Sequence, residues 1–424
     1  TMSCIRVDLV VQQLCDVLHI ALSDSDAYVR KTAAICVAKL AYMDQEKVVE
    51  HGFLIALEHL LTDPNATVVA NALQALADID SLIPGTLQLD NRRVGTLLAA
   101  LEYCTEWAQI AILDTLSEQI VVDSAHAADA IIESVVPRLQ HANHAVAMSS
   151  VRLIFKCMRP LTRTKTIEKL LRKIARPMLS MVADSSAPAS QYLAIRNMRL
   201  VYSTYGDLFL QDIDPKLFFC QYQDPLYLKR EKLIMLVLLS SQKNSASLVD
   251  ELCEYALDVD PAFVRHALLA MSQLAIRQKS VMHLVLNSLN EMCSVKGQRP
   301  QVLQACVIAL VYLIRSEITG NKNSLSKDLQ SIIIQIADHC ASVAEDDVDC
   351  KCALAWILGE YGSDENAIDM FESLCDLFVD DSREVQLQLL ASVCKLCLRF
   401  NQKSNQLALL EDSRVNSSSN ELYV

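Results

Sequence analysis

Few residues in this sequence have the types and spacing that chemistry requires, and the first candidates are two histidines. His141 and His144 are three residues apart, so on a helix both rings could approach one metal ion. No Cys or carboxylate lies close enough in sequence to complete such a site. We therefore interpret the pair as a loop residue and the first residue of a helix, and we expect no metal site.

Two cysteine pairs, Cys350-x-Cys352 and Cys394-x-x-Cys397, have spacings that also occur in zinc and redox sites. Both lie in an apolar helical pattern, and no second pair follows at the spacing of a zinc finger. The fifteen cysteines are an odd number and are scattered through apolar segments, which is typical of reduced thiols in a cytoplasmic protein. We expect these four cysteines to pack in the core.

Motifs of the common enzyme classes are absent. The sequence contains no Gly-x-Ser-x-Gly, no Gly-x-x-x-x-Gly-Lys, no His-Glu-x-x-His and no Gly-x-Gly-x-x-Gly. Only 8 of the 424 residues are glycine, and phosphate-binding loops need glycine so that the backbone can approach the ligand. We expect a protein that is not an enzyme, with no catalytic residue and no cofactor.

Charge is distributed unevenly along the chain. Residues 152–176 carry nine basic side chains and one acidic side chain, Glu168, whereas residues 338–384 carry fourteen acidic side chains against Lys351 and Arg383. The basic segment is either a solvated helix face or a patch that binds an anionic membrane or an acidic partner. The candidate residues of that patch are Arg163, Lys165, Lys169, Arg172, Lys173 and Arg176. The overall charge of −13 argues against nucleic acid as a partner.

The composition indicates which elements must position these residues. Hydrophobic residues make up 52% of the chain but aromatic residues only 5%, so a core would consist of Leu, Ile, Val and Ala. Glycine and proline, which β-rich folds need at their turns, number only 8 and 10. The longest uncharged run, residues 300–314, is shorter than the roughly 20 residues of a membrane-spanning helix, and no secretory signal is visible. We expect an all-α, cytoplasmic protein.

The sequence repeats a unit in which an acidic or small turn precedes an anchor residue and an apolar helix. The anchors are Val29, Val68, Trp107, Val146, Tyr192, Leu228, Val264, Val302, Val348 and Val385. Their spacing of about 40 residues, with two helices per unit, is typical of HEAT and armadillo solenoids. We expect Trp107 and Trp356 to fill the core. The basic residue after an anchor (Arg30, Lys229 or Arg265) either pairs with an Asp of a neighbouring repeat or is solvated.

Particular strings in these repeats resemble the trunk of a β-adaptin, the β-type large subunit of heterotetrameric clathrin adaptor complexes. The matching strings are Thr1–Val7, Tyr28–Leu40, Val68–Ala72, Glu102–Ile110, Pro137–Asn143, Phe218–Leu233, Asp260–Arg265 and Ala355–Tyr361. The resemblance predicts an α-solenoid trunk of about ten repeats over residues 1–400. Residues 401–424 are predicted to be a polar, disordered tail.

The resemblance implies a non-catalytic scaffold in vesicle-mediated protein transport. Trunks of this family pair with a second large adaptin and hold the medium and small subunits. The assembled complex lies peripherally on trans-Golgi, endosomal or plasma membranes, and it recruits clathrin through regions that follow the trunk. The alternative is a HEAT-repeat scaffold or transport receptor outside vesicle coats.

The resemblance also implies one partner contact. In the family's closed complexes the cargo-binding domain of the medium subunit docks near the turn that matches Asp258-Val259-Asp260, so Val259 becomes a candidate contact. An ordinary repeat turn is the alternative interpretation of this residue. A second docking position of the family, which is normally aromatic, aligns with Gln301 and departs from the pattern. The family's first repeats, which carry lipid and Arf-GTPase contacts, match no residue of this sequence.

Overall fold

The computed structural model describes residues 7–122, 124–210, 213–295, 299–320, 347–361 and 365–398. The described residues contain helices and turns but no β-strand, so the expected all-α class is confirmed. Their contacts divide the chain into two compact units, Thr1–Asp212 and Ile213–Val424. The predicted polar tail, residues 401–424, lies outside the described residues, and its disorder stays a prediction.

The first unit consists of helices arranged as repeats, in which one or two helices lie between successive helices of a row. In chain order they are α1 Asp8–Leu22, α2 Ala27–Ala41, α3 Gln45–Glu50, α4 Phe53–Leu60, α5 Ala66–Leu82, α6 Asn91–Ala100, α7 Glu106–Gln119, α8 Ala125–Val135, α9 His144–Cys157, α10 Thr164–Ala183, α11 Pro188–Tyr205 and α12 Asp207–Leu210. A 3₁₀ turn, Val136–Gln140, follows α8. Helices α2, α5, α7 and α9 each begin at or just before an anchor, and each packs against the next.

The second unit repeats this arrangement. It contains α13 Leu226–Leu238, α14 Ser245–Tyr255, α15 Pro261–Arg277, α16 Met282–Ser294, α17 Pro300–Gly320, α18 Val348–Tyr361, α19 Glu365–Cys375 and α20, residues 383–398. Two 3₁₀ turns, Pro215–Phe218 and Lys279–Val281, precede α13 and α16. Helices α13, α15, α17 and α18 form a row of neighbours, so the predicted HEAT/armadillo stacking is confirmed within the unit.

Short polar side chains cap the start of several of these helices. Asp26, Asn65 and Asp260 each accept a hydrogen bond from the backbone N–H two residues later, at 2.8 to 2.9 Å. Such a cap satisfies one of the N–H groups that the first helical turn leaves without a partner. The acidic or small polar turn seen in the sequence is therefore the start signal of α2, α5 and α15.

Most anchors lie in the core, but the interpretation of Trp107 was wrong. The side chains of Val68, Val146, Leu228, Val264, Val302 and Val385 are buried. Trp107 is 82% exposed, because the buried face of α7 runs through Ala108, Ile112 and Leu116. Neighbouring residues on a helix differ by about 100° in direction, so the residue before Ala108 points outward. Trp356 is half-buried beneath the Arg315 guanidinium, 4.8 Å from its ring centre.

The cysteine pairs also differ from the expectation. Cys350 is buried and Cys352 is half-buried on α18, as core packing requires. Cys394 and Cys397 are both exposed on α20, so the prediction that they pack in the core was wrong. On that helix Val385, Leu389 and Leu396 take the buried positions, and the two cysteines lie outside that stripe.

Candidate docking surfaces

Ion pairs join the start of one repeat helix to the turn that begins another. Arg30 binds Asp63 through two hydrogen bonds, Nε to Oδ2 at 2.8 Å and Nη2 to Oδ1 at 3.0 Å. Lys229 Nζ lies 3.2 Å from Asp258 Oδ2 in the second unit. Of the two interpretations that the sequence left open for these basic residues, pairing with a neighbouring repeat is therefore confirmed.

The same device recurs further along the second unit. Arg265 pairs with Asp347 and, at 3.0 Å, with Asp349, both at the start of α18. Lys351, which is buried, pairs with Asp381 at 2.8 Å, just before α20. These links fix the turns of the repeats relative to the helices beneath them.

The turn that carries Val259 is bonded to a helix that precedes it in sequence and to one that follows it. Asp258 Oδ1 accepts a hydrogen bond from the backbone N–H of Asp260 at 3.0 Å, while its Oδ2 faces Lys229 of α13. Arg299, at the start of α17, donates to the carbonyl oxygen of Leu257 at 2.8 Å. A surface held in one shape loses little conformational freedom when it binds, so this turn is suited to docking.

The electrostatics of Asp258 reflect these contacts. Burial alone would raise the pKa of this carboxyl group. The hydrogen bond from the Asp260 N–H and the ion pair with Lys229 outweigh burial and lower the pKa below its ordinary value. The carboxylate is thus charged at neutral pH, and the pair that anchors the turn is intact there.

Apolar side chains project from this turn and its surroundings. Val259 is 79% exposed, Leu257 is 64% exposed and Tyr222 is 88% exposed. Together with Lys229 and Phe263 they line a shallow cavity of about 340 Å³. We call Tyr222, Leu257 and Val259 the turn surface. Sequence reasoning found Val259 through family resemblance alone and missed its two apolar neighbours.

Gln301 lies in the repeat that follows. Its side chain is exposed in the first turn of α17, next to Pro300 and close in sequence to Arg299. The family resemblance requires an aromatic residue here, and the exposed amide presents none. The turn surface is therefore the apolar part of the predicted contact.

The candidate basic patch lies on α10 and on the residue that precedes it in the first unit. All six of its residues, Arg163, Lys165, Lys169, Arg172, Lys173 and Arg176, are exposed. The opposite side of the helix is buried through Leu170, Leu171, Ile174, Met178, Met181 and Val182. Helix α10 packs against α9 and α11, so its orientation is fixed by the core.

The two histidines of the sequence analysis lie in a turn and at the start of a helix. His141 Nδ1 accepts a hydrogen bond from the Asn143 N–H at 3.0 Å, which is the geometry of a turn, and His144 begins α9 as expected. Within the described ranges, no three His, Cys, Asp or Glu side chains come together as a metal site would require. Among the helices of the described residues, none combines the length and the apolar character needed to span a membrane.

Stacked helix pairs with capped turns and ion pairs between repeats define this protein as an α-solenoid of the HEAT type. A solved structure of the karyopherin Kap121p bound to Nup53p shares this fold, with a TM-score of 0.52 and 14% identity over 92% of this chain and 42% of that one. At that identity the likeness concerns the fold alone.

Comparison of the sequence with known families identifies the family to which the chain belongs. Residues 1–422 match the family described as the adaptin N-terminal region, and the chain belongs to the adaptins. It is 37% identical over 411 residues to the AP-1 complex subunit beta-1 of Mus musculus, which covers 96% of this chain and 42% of that protein. It is 33% identical over 408 residues to the Saccharomyces cerevisiae protein of the same name, covering 93% and 54%. The chain thus spans about half the length of these relatives or less.

Proposed function

We propose that this chain forms the trunk of a β-type large subunit of a clathrin-associated adaptor complex. The observation that carries the proposal is the adaptin match over residues 1–422, together with 37% identity to a protein named as the beta subunit of AP-1. In this role the chain is a non-catalytic scaffold for cargo sorting and coat assembly in vesicle-mediated transport.

The partners follow from that role. They are a second large adaptin, a medium subunit and a small subunit, while clathrin binds regions that follow the trunk. The complex associates peripherally with trans-Golgi, endosomal or plasma membranes from the cytoplasm, and nucleic acid is not a partner. The net charge of −13 supports the last point, because nucleic-acid binding depends on basic surface.

Within the complex, the turn surface contacts the medium subunit. Support comes from the exposure of Val259 and Leu257 and from the bonds that Asp258 and Arg299 make with neighbouring elements. Exposed apolar side chains on a rigid turn lose contact with water when a partner covers them, and this stabilises a complex. The turn itself needs no rearrangement to accept a partner.

A tagged pull-down from the native cell, with subunit stoichiometry measured by mass spectrometry, tests both statements. Equimolar recovery of a second large adaptin with medium and small subunits is expected. Recovery of none of them would refute the adaptor role and favour the alternative of a scaffold or transport receptor outside vesicle coats.

The contact itself is tested with Val259→Asp and with a matched control. Val121→Asp places the same charge on a valine that is also 79% exposed but lies in the first unit. We expect Val259→Asp to weaken the association of the isolated medium subunit by roughly tenfold, since a carboxylate in an apolar contact is costly to desolvate. The control should leave it unchanged. Equal effects of the two variants would show that Val259 has no special role.

A further inference from the structure

The exposed cations of α10 follow a pattern that the fold alone does not require. Lys165, Lys169, Arg172, Lys173 and Arg176 are spaced so that all five point within an arc of about 100° around the helix axis. Lys165 and Arg176 are eleven positions apart, so the row is about 16 Å long. We call these five residues the cationic row.

Helix α10 itself exposes no large hydrophobic side chain, although Leu193 and Leu200 are exposed on the neighbouring α11. Between Val121 and Leu193 no described large hydrophobic side chain is exposed. Glu168 is the only acidic residue between positions 152 and 176, and it is half-buried beside the row. The row is therefore a line of exposed cations on one side of α10, and the opposite side of the helix is its buried apolar face.

The positive charge and the exposure of the row favour a membrane over a protein as its partner. A folded or peptide partner of a stable complex usually makes apolar or aromatic contacts, and the described residues of α10 expose no large hydrophobic side chain to meet them. A membrane leaflet with anionic lipids presents a flat field of negative charge, and that field attracts Lys and Arg side chains without any apolar insertion. A row of exposed cations on one side of a helix can contact such a plane along its whole length.

We propose that the cationic row of α10 is a membrane-contact site that binds the anionic headgroups of a lipid bilayer. This goes beyond the adaptor role proposed above, because the contact belongs to this chain itself. Binding is electrostatic, so it requires positive charge at the row and weakens as salt screens it.

The experiment uses the protein purified from its native cell together with the subunits that it carries. Wild-type protein should sediment with vesicles of phosphatidylcholine and phosphatidylserine but not with phosphatidylcholine alone, and raising the salt from about 0.1 M to about 0.5 M should release it. The triple variant Arg172→Glu/Lys173→Glu/Arg176→Glu should reduce the apparent affinity by about tenfold or more.

Three further variants make the outcome specific. Lys165→Glu/Lys169→Glu/Lys173→Glu reverses a different part of the row and should have a similar effect. Lys39→Glu/Arg92→Glu/Lys243→Glu makes the same change in net charge at exposed sites outside the row, and it should bind vesicles nearly as the wild type does. Arg172→Lys/Arg176→Lys keeps the charge and should keep the binding.

Several outcomes would overturn the inference. Equal losses in the row variants and in the scattered control would mean that only net charge matters. Row variants that keep vesicle binding but lose binding to polyglutamate would assign the row to an acidic polypeptide. Mass spectrometry of the same samples distinguishes this from a failure of the adaptor role, because the row variants should retain all their subunits.

Discussion

Lys229 of α13 and Asp258, in the turn before α15, form an ion pair that is largely removed from solvent, with the Asp258 side chain 17% exposed. The Lys229 side chain is 8% exposed, its Nζ lies 3.2 Å from Asp258 Oδ2, and it also lies 4.4 Å from the centre of the Phe263 ring. The positive charge that holds the turn in place therefore lies on α13, in the repeat before the turn. The surface that includes Val259 depends on this pair for its shape.

Removing the charge of Asp258 should destabilise the second unit. Asp258→Asn keeps an oxygen that can accept the hydrogen bond of the Asp260 N–H, but it leaves the Lys229 ammonium buried without a counter-ion. Breaking a buried pair in this way costs about 3 kcal/mol of unfolding free energy. Urea denaturation followed by circular dichroism measures the loss.

The matched control is Asp114→Asn in the first unit. Asp114 pairs with Arg152 at 3.4 Å, and the two side chains are 38% and 62% exposed. An exposed pair of this kind contributes less than about 1 kcal/mol. Equal losses for the two variants would contradict the structural role assigned to the Lys229–Asp258 pair.

The Lys229–Asp258 pair should make the unfolding free energy depend on pH, and the pKa shift of Asp258 sets the direction of that dependence. The pKa of Asp258 is lower in the folded protein than in the unfolded chain, so its contribution is complete above the unfolded value of about 3.9. The contribution is lost as the pH falls through the folded value. The difference in unfolding free energy between wild type and Asp258→Asn should therefore shrink below about pH 4. Urea titrations at several acidic pH values test this, and a difference that grows on acidification would refute it.

The parts of this structure that repeat could be predicted from the sequence. Asp63 and Asp258 occupy the same place in their repeats, two residues before a helix cap, and Arg30 and Lys229 follow their anchors directly. Because the geometry recurs, one interpretation applies to many positions. The HEAT stacking followed from the same periodicity, whereas the helical class followed from the composition.

Positions that depart from the repeat could not be assigned in this way. An exposed apolar residue such as Leu257 has the same sequence signal as a buried one, since only the neighbouring elements decide which is which. Trp107 was placed in the core because an aromatic residue stood at the anchor position, whereas Ala108 takes the buried place. The direction of the cationic row became clear only when packing had fixed the buried face of α10.

Thiol reactivity should follow the burial that the structure shows. Burial raises the pKa of Cys157 to about 11. Burial, with Asp347 nearby, raises the pKa of Cys350 to about 12. The thiolate is the reactive form, so both residues should resist maleimide at pH 8 while the exposed Cys394 and Cys397 react quickly.

Pulse labelling followed by peptide mass spectrometry measures this order of reactivity. In denaturant all four thiols should react at similar rates, and Cys394→Ser/Cys397→Ser should remove the corresponding fast labelling. Rapid modification of Cys157 or Cys350 in the folded protein would contradict the packing described for α9 and α18.

Helices α18 and α20 approach each other so closely that only glycine fits at position 359. A Cβ atom on Gly359 would lie 2.7 Å from the Cβ and 2.9 Å from the Cα of Ser392. Alanine has the higher helix propensity by about 1 kcal/mol, but overpacking against a backbone atom costs about 1 to 3 kcal/mol. We expect Gly359→Ala to lower the unfolding free energy by about 1 kcal/mol in urea titrations.

Gly95→Ala on α6, where no atom lies within 4 Å of the added Cβ, should raise the unfolding free energy by up to about 1 kcal/mol. If both substitutions stabilised the protein, the close contact between α18 and α20 would be disproved, because propensity alone would then explain both results.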